Sequence, residues 1–150
     1  MVEDLDLPTG IVARREFTVE PSHTTNVFGD QEDPPARAAA ADATPDESVR
    51  VLGTPALLAW VEFVARESLR GHLPRGTGCA GERAEVHHRR AVPLGTDLLV
   101  ETDLVDVSGV RLAFEGTVSR TDGEVVGTAS TVIRVVERDR FRASLADHDA

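Results

Sequence analysis

The chain has 150 residues, enough for one domain built around one core. Acidic residues outnumber basic ones 26 to 16, every basic residue is an arginine, and the net charge is −10. That balance argues against a nucleic-acid partner, because duplex binding draws on clustered cations, and together with the missing lysines it describes a surface suited to high salt or a high-GC genome. Cys79 is the single cysteine, so no intramolecular disulfide forms, and no apolar stretch reaches membrane-spanning length. The opening Met-Val-Glu-Asp-Leu-Asp lacks the basic and apolar regions of a signal peptide, so the expected location is the cytoplasm.

In chain order, Arg14 to Glu20 is a short strand with Phe17 and Val19 on one face, closed by Pro21. Residues 30 to 48 carry Asp-Gln-Glu-Asp-Pro-Pro, an alanine run from Ala38 to Ala41 and Thr-Pro-Asp-Glu-Ser, with no large apolar anchor. They read as a mobile loop or lid, with a short helix through the alanines as an alternative. Pro55 to Arg70 is a helix, with Thr54 placed to cap it and Pro55 at its first position. Leu58, Val61, Glu62, Ala65 and Leu69 share one stripe of this helix, and Leu57, Trp60 and Val64 cover the side beside it. A helix apolar nearly all round is expected to be wrapped by other structure.

Glu62 therefore lies on a face expected to be buried. An ionised carboxylate away from water is costly unless it is paired or retained for chemistry. The structural alternative is an i, i+4 pair with Arg66, worth only about 0.2–0.5 kcal/mol.

Pro74, Gly76 and Gly78 mark a loop, and from Arg83 the period becomes two, with Ala84, Val86 and His88 on one face of a strand. Three longer strands follow, over 96–107, 110–120 and 124–136, with Ser108-Gly109 and Asp122-Gly123 as hairpin turns. Glu137 to Ala150 is a charged tail ending in a helical turn near Phe141 and Leu145, frayed over 142–150. An apolar helix after the first strand, then an antiparallel meander, predicts one α+β domain over 1–150 of the hotdog type, a curved sheet around a central helix.

Thr54, Glu62 and His88 are the polar side chains placed for chemistry. Eight residues of helix separate Thr54 from Glu62 by about 12 Å along the axis, so a substrate lying along the helix could bridge them. Thr54 also reads simply as a cap, and His88 as a core histidine with its hydrogen bonds satisfied. His87 and His88 point to opposite faces of a strand and do not chelate one metal, and Cys79 reads as a small apolar filler.

The spacing of Leu52-Gly53-Thr54, Glu62, Gly81, Glu85-Val86-His87-His88 and Ala91-Val92-Pro93-Leu94-Gly95 resembles the fluoroacetyl-CoA thioesterase-like family of hotdog proteins. The likeness runs from about Val51 to Phe141. It implies an acyl-CoA thioesterase with Thr54, Glu62 and His88 as catalytic residues and Gly81 lining the acyl site. It further implies a small-molecule acyl-CoA substrate, no separate cofactor, and a homodimer with active sites along its interface. A thioester carbonyl needs a nucleophile or positioned water, a proton acceptor and oxyanion donors; Glu62 as base or nucleophile, Thr54 as attacking or orienting group and His88 as proton shuttle all remain open.

Two departures stand out. The family's fluoroacetate-selective member carries phenylalanines ahead of its catalytic threonine, whereas no aromatic lies between Phe28 and Trp60 here, so fluoroacetyl selectivity is not expected. The family's arginine on the last strand falls at Ile133, with Arg134 one position away, and a one-residue shift changes face. These departures keep a second reading open, a non-catalytic module binding acyl-CoA or a related small ligand. A hotdog hydratase is disfavoured by the lack of an Asp and His pair at that family's spacing.

Overall fold

The computed structural model describes residues 5–146. Strand β1 (Val12–Thr18) is followed by β2 (Thr24–Asn26), a two-residue ladder of β3 (Gln31–Glu32) and β4 (Pro35–Ala36), and β5 (Arg50–Leu52). Helix α1 (Thr54–Ser68) comes next, then β6 (Thr77–His88), β7 (Asp97–Ser108), β8 (Arg111–Arg120), β9 (Val125–Glu137) and α2 (Arg138–Ala146). The main sheet is antiparallel in the order β1-β7-β8-β9-β6, which leaves β6 at an edge. The meander β7-β8-β9 turns at Gly109 and Gly123, whose φ angles of 63° and 97° suit glycine.

Helix α1 lies against one face of this sheet. Leu57, Trp60, Val61, Val64 and Ala65 are buried with Val100, Val118, Phe114 and Ile133 from the strands. The approach is close because the strands offer glycines beneath the helix. A Cβ on Gly116 would stand 2.3 Å from Val61 Cγ1, and one on Gly127 would stand 2.5 Å from Leu57 Cδ1. The fold is thus the α+β hotdog arrangement expected from the sequence.

The helix is not wrapped all round. Leu58 and Glu62 are only half-buried, and Phe63 is 59% exposed, because one sheet covers one side of a cylinder and leaves a flank open. Among the described residues no helix is long and apolar enough to cross a membrane.

Two local expectations are corrected. The alanines at 38–41 form no helix: the nine residues between Pro35 and Pro45 are fewer than a helix without tertiary packing needs, and none of these alanines is fully buried against the core. Within 30–48 the chain instead forms the β3-β4 ladder and a 3₁₀ turn over Pro45–Glu47, whose Thr44 and Glu47 make a reciprocal capping box. Strand β6 starts at Thr77, six residues before the switch to a period of two, because Thr77 to Gly81 pair with Glu137 to Ile133 on β9. Neighbouring backbone overrides the glycines, and a bulge between Gly81 and Arg83 resets the register. The tail is helical through Ala146, and the rest of the frayed tail expected over 142–150 lies outside the described residues.

Candidate active site

The turn from β5 into α1 sets the first site residue. Gly53 occupies the N-cap position with φ −79° and ψ 145°, and Thr54 is the first helical residue, with no side-chain cap hydrogen bond. The capping role expected for Thr54 is therefore corrected. Its hydroxyl faces the end of β6, where Oγ1 lies 3.0 Å from His88 Nδ1. The strand holds His88 firmly, since His88 pairs with Gly127 on β9 and Val126 O accepts from the Arg89 amide.

The two ring nitrogens of His88 differ. Nδ1 meets the threonine hydroxyl, while Nε2 is buried with no hydrogen-bond partner. With Nδ1 unprotonated, the ring accepts the Thr54 proton, which is the pairing of a hydroxyl nucleophile or water-orienting group with its base. His88 is thus not a core histidine satisfied on both sides. The neighbouring His87 points away and contacts Glu85 Oε1 at 2.9 Å.

Thr54 and His88 line a cavity of about 690 Å³. Its other walls come from the 22–36 segment and from Val51 to Ala56, and Arg89 and Arg90 stand on its rim. The volume is in the range of small-molecule sites.

Glu62 is not in this cavity. Two turns along α1, its carboxylate lies over the backbone of Gly81, so close that a Cβ there would stand 2.2 Å from Oε1. The Arg66 alternative does not hold: among the described residues no salt bridge joins the two, and Arg66 Nη1 donates to the Cys79 carbonyl at 2.9 Å. Glu62 is a half-buried carboxylate without an ion-pair partner in this set, beside a position where only glycine leaves it room. One chain therefore brings together Thr54 with His88, and Glu62 with Gly81, as two separated pairs.

Nearby Cys79 is half-buried. Burial pushes its thiol above the ordinary value, the charge of Arg66 opposes this and that of Glu62 adds to it. A thiol held protonated is consistent with a filler rather than a nucleophile.

At the position of the family's arginine, Ile133 is fully buried against α1, while Arg134 projects from the opposite face of β9 and is exposed. The shift by one residue thus removes that guanidinium from the face that carries Glu62. The arginines at the cavity rim were not singled out by sequence reasoning; the signal available was their position directly after His88.

Solved structures share the fold at low identity. A hypothetical protein of the thioesterase superfamily from Thermus thermophilus has a TM-score of 0.76 at 18% identity, over 93% of this chain and 91% of its own. A hot-dog-like protein from Thermanaerovibrio acidaminovorans gives 0.76 at 23%, over 96% and 94%. A fluoroacetyl-CoA thioesterase gives 0.75 at 20%, over 96% and 98%. No curated protein matches the sequence. The family model described as fluoroacetyl-CoA-specific thioesterase matches residues 35–139, more than half the chain and a span that includes Thr54, Glu62, Gly81 and His88, so the chain belongs to that thioesterase family.

Proposed function

We propose that this protein hydrolyses a short acyl-CoA thioester to the free acid and CoA. The observation that carries this reading is the 3.0 Å contact between Thr54 Oγ1 and His88 Nδ1, open to a cavity of about 690 Å³, in a chain of a thioesterase family. A threonine-to-serine variant of the fluoroacetyl-CoA thioesterase, 20% identical to this chain, is described in complex with acetyl-CoA, which supports a small acyl group.

The two separated pairs fit a homodimer. In one chain Glu62 stands beside Gly81 and Thr54 beside His88, so α1 and β6 run in opposite directions. Strand β6 is a sheet edge exposed from Gly81 to Glu85, and Phe63 is exposed on the open flank of α1. Two copies of β6 pairing antiparallel near Ala84 and Glu85 set Thr54 and His88 of one subunit opposite Glu62 of the partner subunit. Pairing the edge also satisfies its free backbone groups and covers the apolar flank. In such a site His88 takes the Thr54 or water proton, and the partner's Glu62 supplies the carboxylate that attacks, or that activates water, at the thioester carbonyl. The start of the segment 30–48, from Gln31 to Ala36, lines the cavity, and in this reading the segment acts as its lid, without an aromatic gate.

The test is a series of acyl-CoA esters of increasing chain length with a reagent that reports released thiol. Glu62→Gln keeps shape and removes charge, and His88→Ala removes the base. Each should lower kcat/KM by about 10²–10⁴-fold with folding retained. The position of Arg134 on the opposite face favours a second reading, binding without turnover. Acyl-CoA binding by a folded protein that hydrolyses no member of the series would establish it.

A further inference from the structure

The protein carries a net charge of −10, and a phosphorylated ligand meets general repulsion on approach. Against that background Arg89 and Arg90 are unusual in their placement. Both are exposed and both line the cavity that holds Thr54 and His88. Many of the other arginines are tied down: Arg14 to Glu101, Arg15 to Glu67, Arg50 to Glu32, Arg111 to Glu82 and Arg120 to Glu124. Among the described residues, neither Arg89 nor Arg90 makes a side-chain hydrogen bond or an ion pair. The one carboxylate on the cavity wall, Asp33, pairs with neither.

Their backbone is held even though their side chains are free. The amides of Arg89 and Arg90 both donate to Val126 O, at 2.9 and 3.1 Å, so the two side chains leave from a fixed turn at the end of β6. Two residues further on, Val92 O accepts from the Leu52 amide, tying this turn to the end of β5, two residues before α1 begins. The N-terminal end of α1 opens on the same cavity, with Gly53, Thr54 and Pro55 in its wall, and adds partial positive charge there. A pair of free guanidiniums on a fixed turn and a helix N-terminus thus border one cavity of about 690 Å³, whose wall also holds His88.

We propose that Arg89 and Arg90 clamp the phosphate groups of the coenzyme-A carrier at the rim of the cavity, with the thioester end directed inward to Thr54 and His88. Guanidinium forks match phosphate oxygens in pairs, and charge-assisted bonds of this kind are about twice as strong as neutral ones. The clamp rests on the acyl-CoA reading given above. It makes the protein selective for a thioester carried on a phosphorylated nucleotide over the same thioester on a short uncharged thiol.

The experiment compares acetyl-CoA, acetyl-dephospho-CoA and acetyl-pantetheine as substrates for the full chain and for Arg89→Ala, Arg90→Ala and the double variant. Both arginines are exposed, so the variants should fold, and thermal melting checks this. In the double variant KM for acetyl-CoA should rise about tenfold or more with kcat little changed, about 1.4 kcal/mol or more of binding. The kcat/KM advantage of acetyl-CoA over acetyl-pantetheine should collapse by the same factor. Arg89→Lys combined with Arg90→Lys should restore part of it, and the dephospho substrate shows whether the 3′-phosphate or the pyrophosphate is held. Equal losses on acetyl-CoA and acetyl-pantetheine, or no loss on either, would overturn the clamp while leaving the hydrolase reading intact. Calorimetry with CoA and with 3′,5′-ADP needs no turnover. Binding that disappears in the double variant of a protein without hydrolysis would uphold the clamp and sink the hydrolase, and absence of both binding and turnover would overturn both.

Discussion

The contact between Glu62 and Gly81 permits a substitution that separates chemistry from folding. Gly81 has no positive φ, so alanine fits its backbone, and replacing glycine there should leave stability unchanged or raise it by about 0.4–1 kcal/mol. The new Cβ would stand 2.2 Å from Glu62 Oε1, where ordinary contact begins at 3.4 Å, so the carboxylate must retreat by about 1.2 Å. That oxygen is the far end of a flexible side chain, and moving it costs the fold little. A reacting group misplaced by about 1 Å loses on the order of 10²-fold in rate, some 2.7 kcal/mol. Gly81→Ala should therefore melt at or above the temperature of the parent protein and hydrolyse acetyl-CoA about a hundredfold more slowly. In a Glu62→Ala background there is no carboxylate to displace, so Gly81→Ala should add almost nothing to the loss already present. Thiol-release kinetics and thermal melts on the four proteins complete the cycle. An undiminished rate in Gly81→Ala, or an equal fractional loss in both backgrounds, would refute the assignment of Glu62 to the chemistry.

Three further outcomes follow from the same geometry. Thr54 makes no cap bond, so Thr54→Ala should cost under about 0.5 kcal/mol rather than the roughly 1 kcal/mol of a lost cap, while hydrolysis falls and Thr54→Ser retains it; a melt lowered by the full cap value would restore the capping role. Because burial raises the Cys79 thiol, less thiolate is present at pH 8 than for a free cysteine, and a disulfide reagent should label the folded protein more slowly than the urea-unfolded chain. Equal labelling rates would show an accessible, ionised thiol. Sedimentation in raised salt should give at least twice the 16.1 kDa chain mass, and Phe63→Glu on the open flank of α1 should yield a folded, inactive monomer. A monomer that still hydrolyses acetyl-CoA would rule out a site completed by the partner's Glu62.

Local pattern carries a long way in this chain. The alternation after Arg83, the Ser108-Gly109 and Asp122-Gly123 turns and the apolar period of Pro55 to Arg70 determine an antiparallel meander and one central helix, because side-chain period follows directly from backbone geometry. The odd carboxylate Glu62 and the inward His88 were visible for the same reason, as polar groups at positions where the period puts apolar ones. What the period could not supply is depth and distance. Only the packed chain decides that the sheet covers one side of α1 and leaves Phe63 and part of Glu62 open. The pairing of Thr54 with His88, 34 residues apart, arises where β6 ends against the start of α1, and no local signal encodes that meeting. The Thr77–Gly81 extension of β6 is likewise set by β9, since backbone hydrogen bonding from a neighbouring strand outweighs the weak strand preference of glycine. The free state of Arg89 and Arg90 belongs to tertiary structure too, because whether an arginine finds a carboxylate depends on what the fold places beside it.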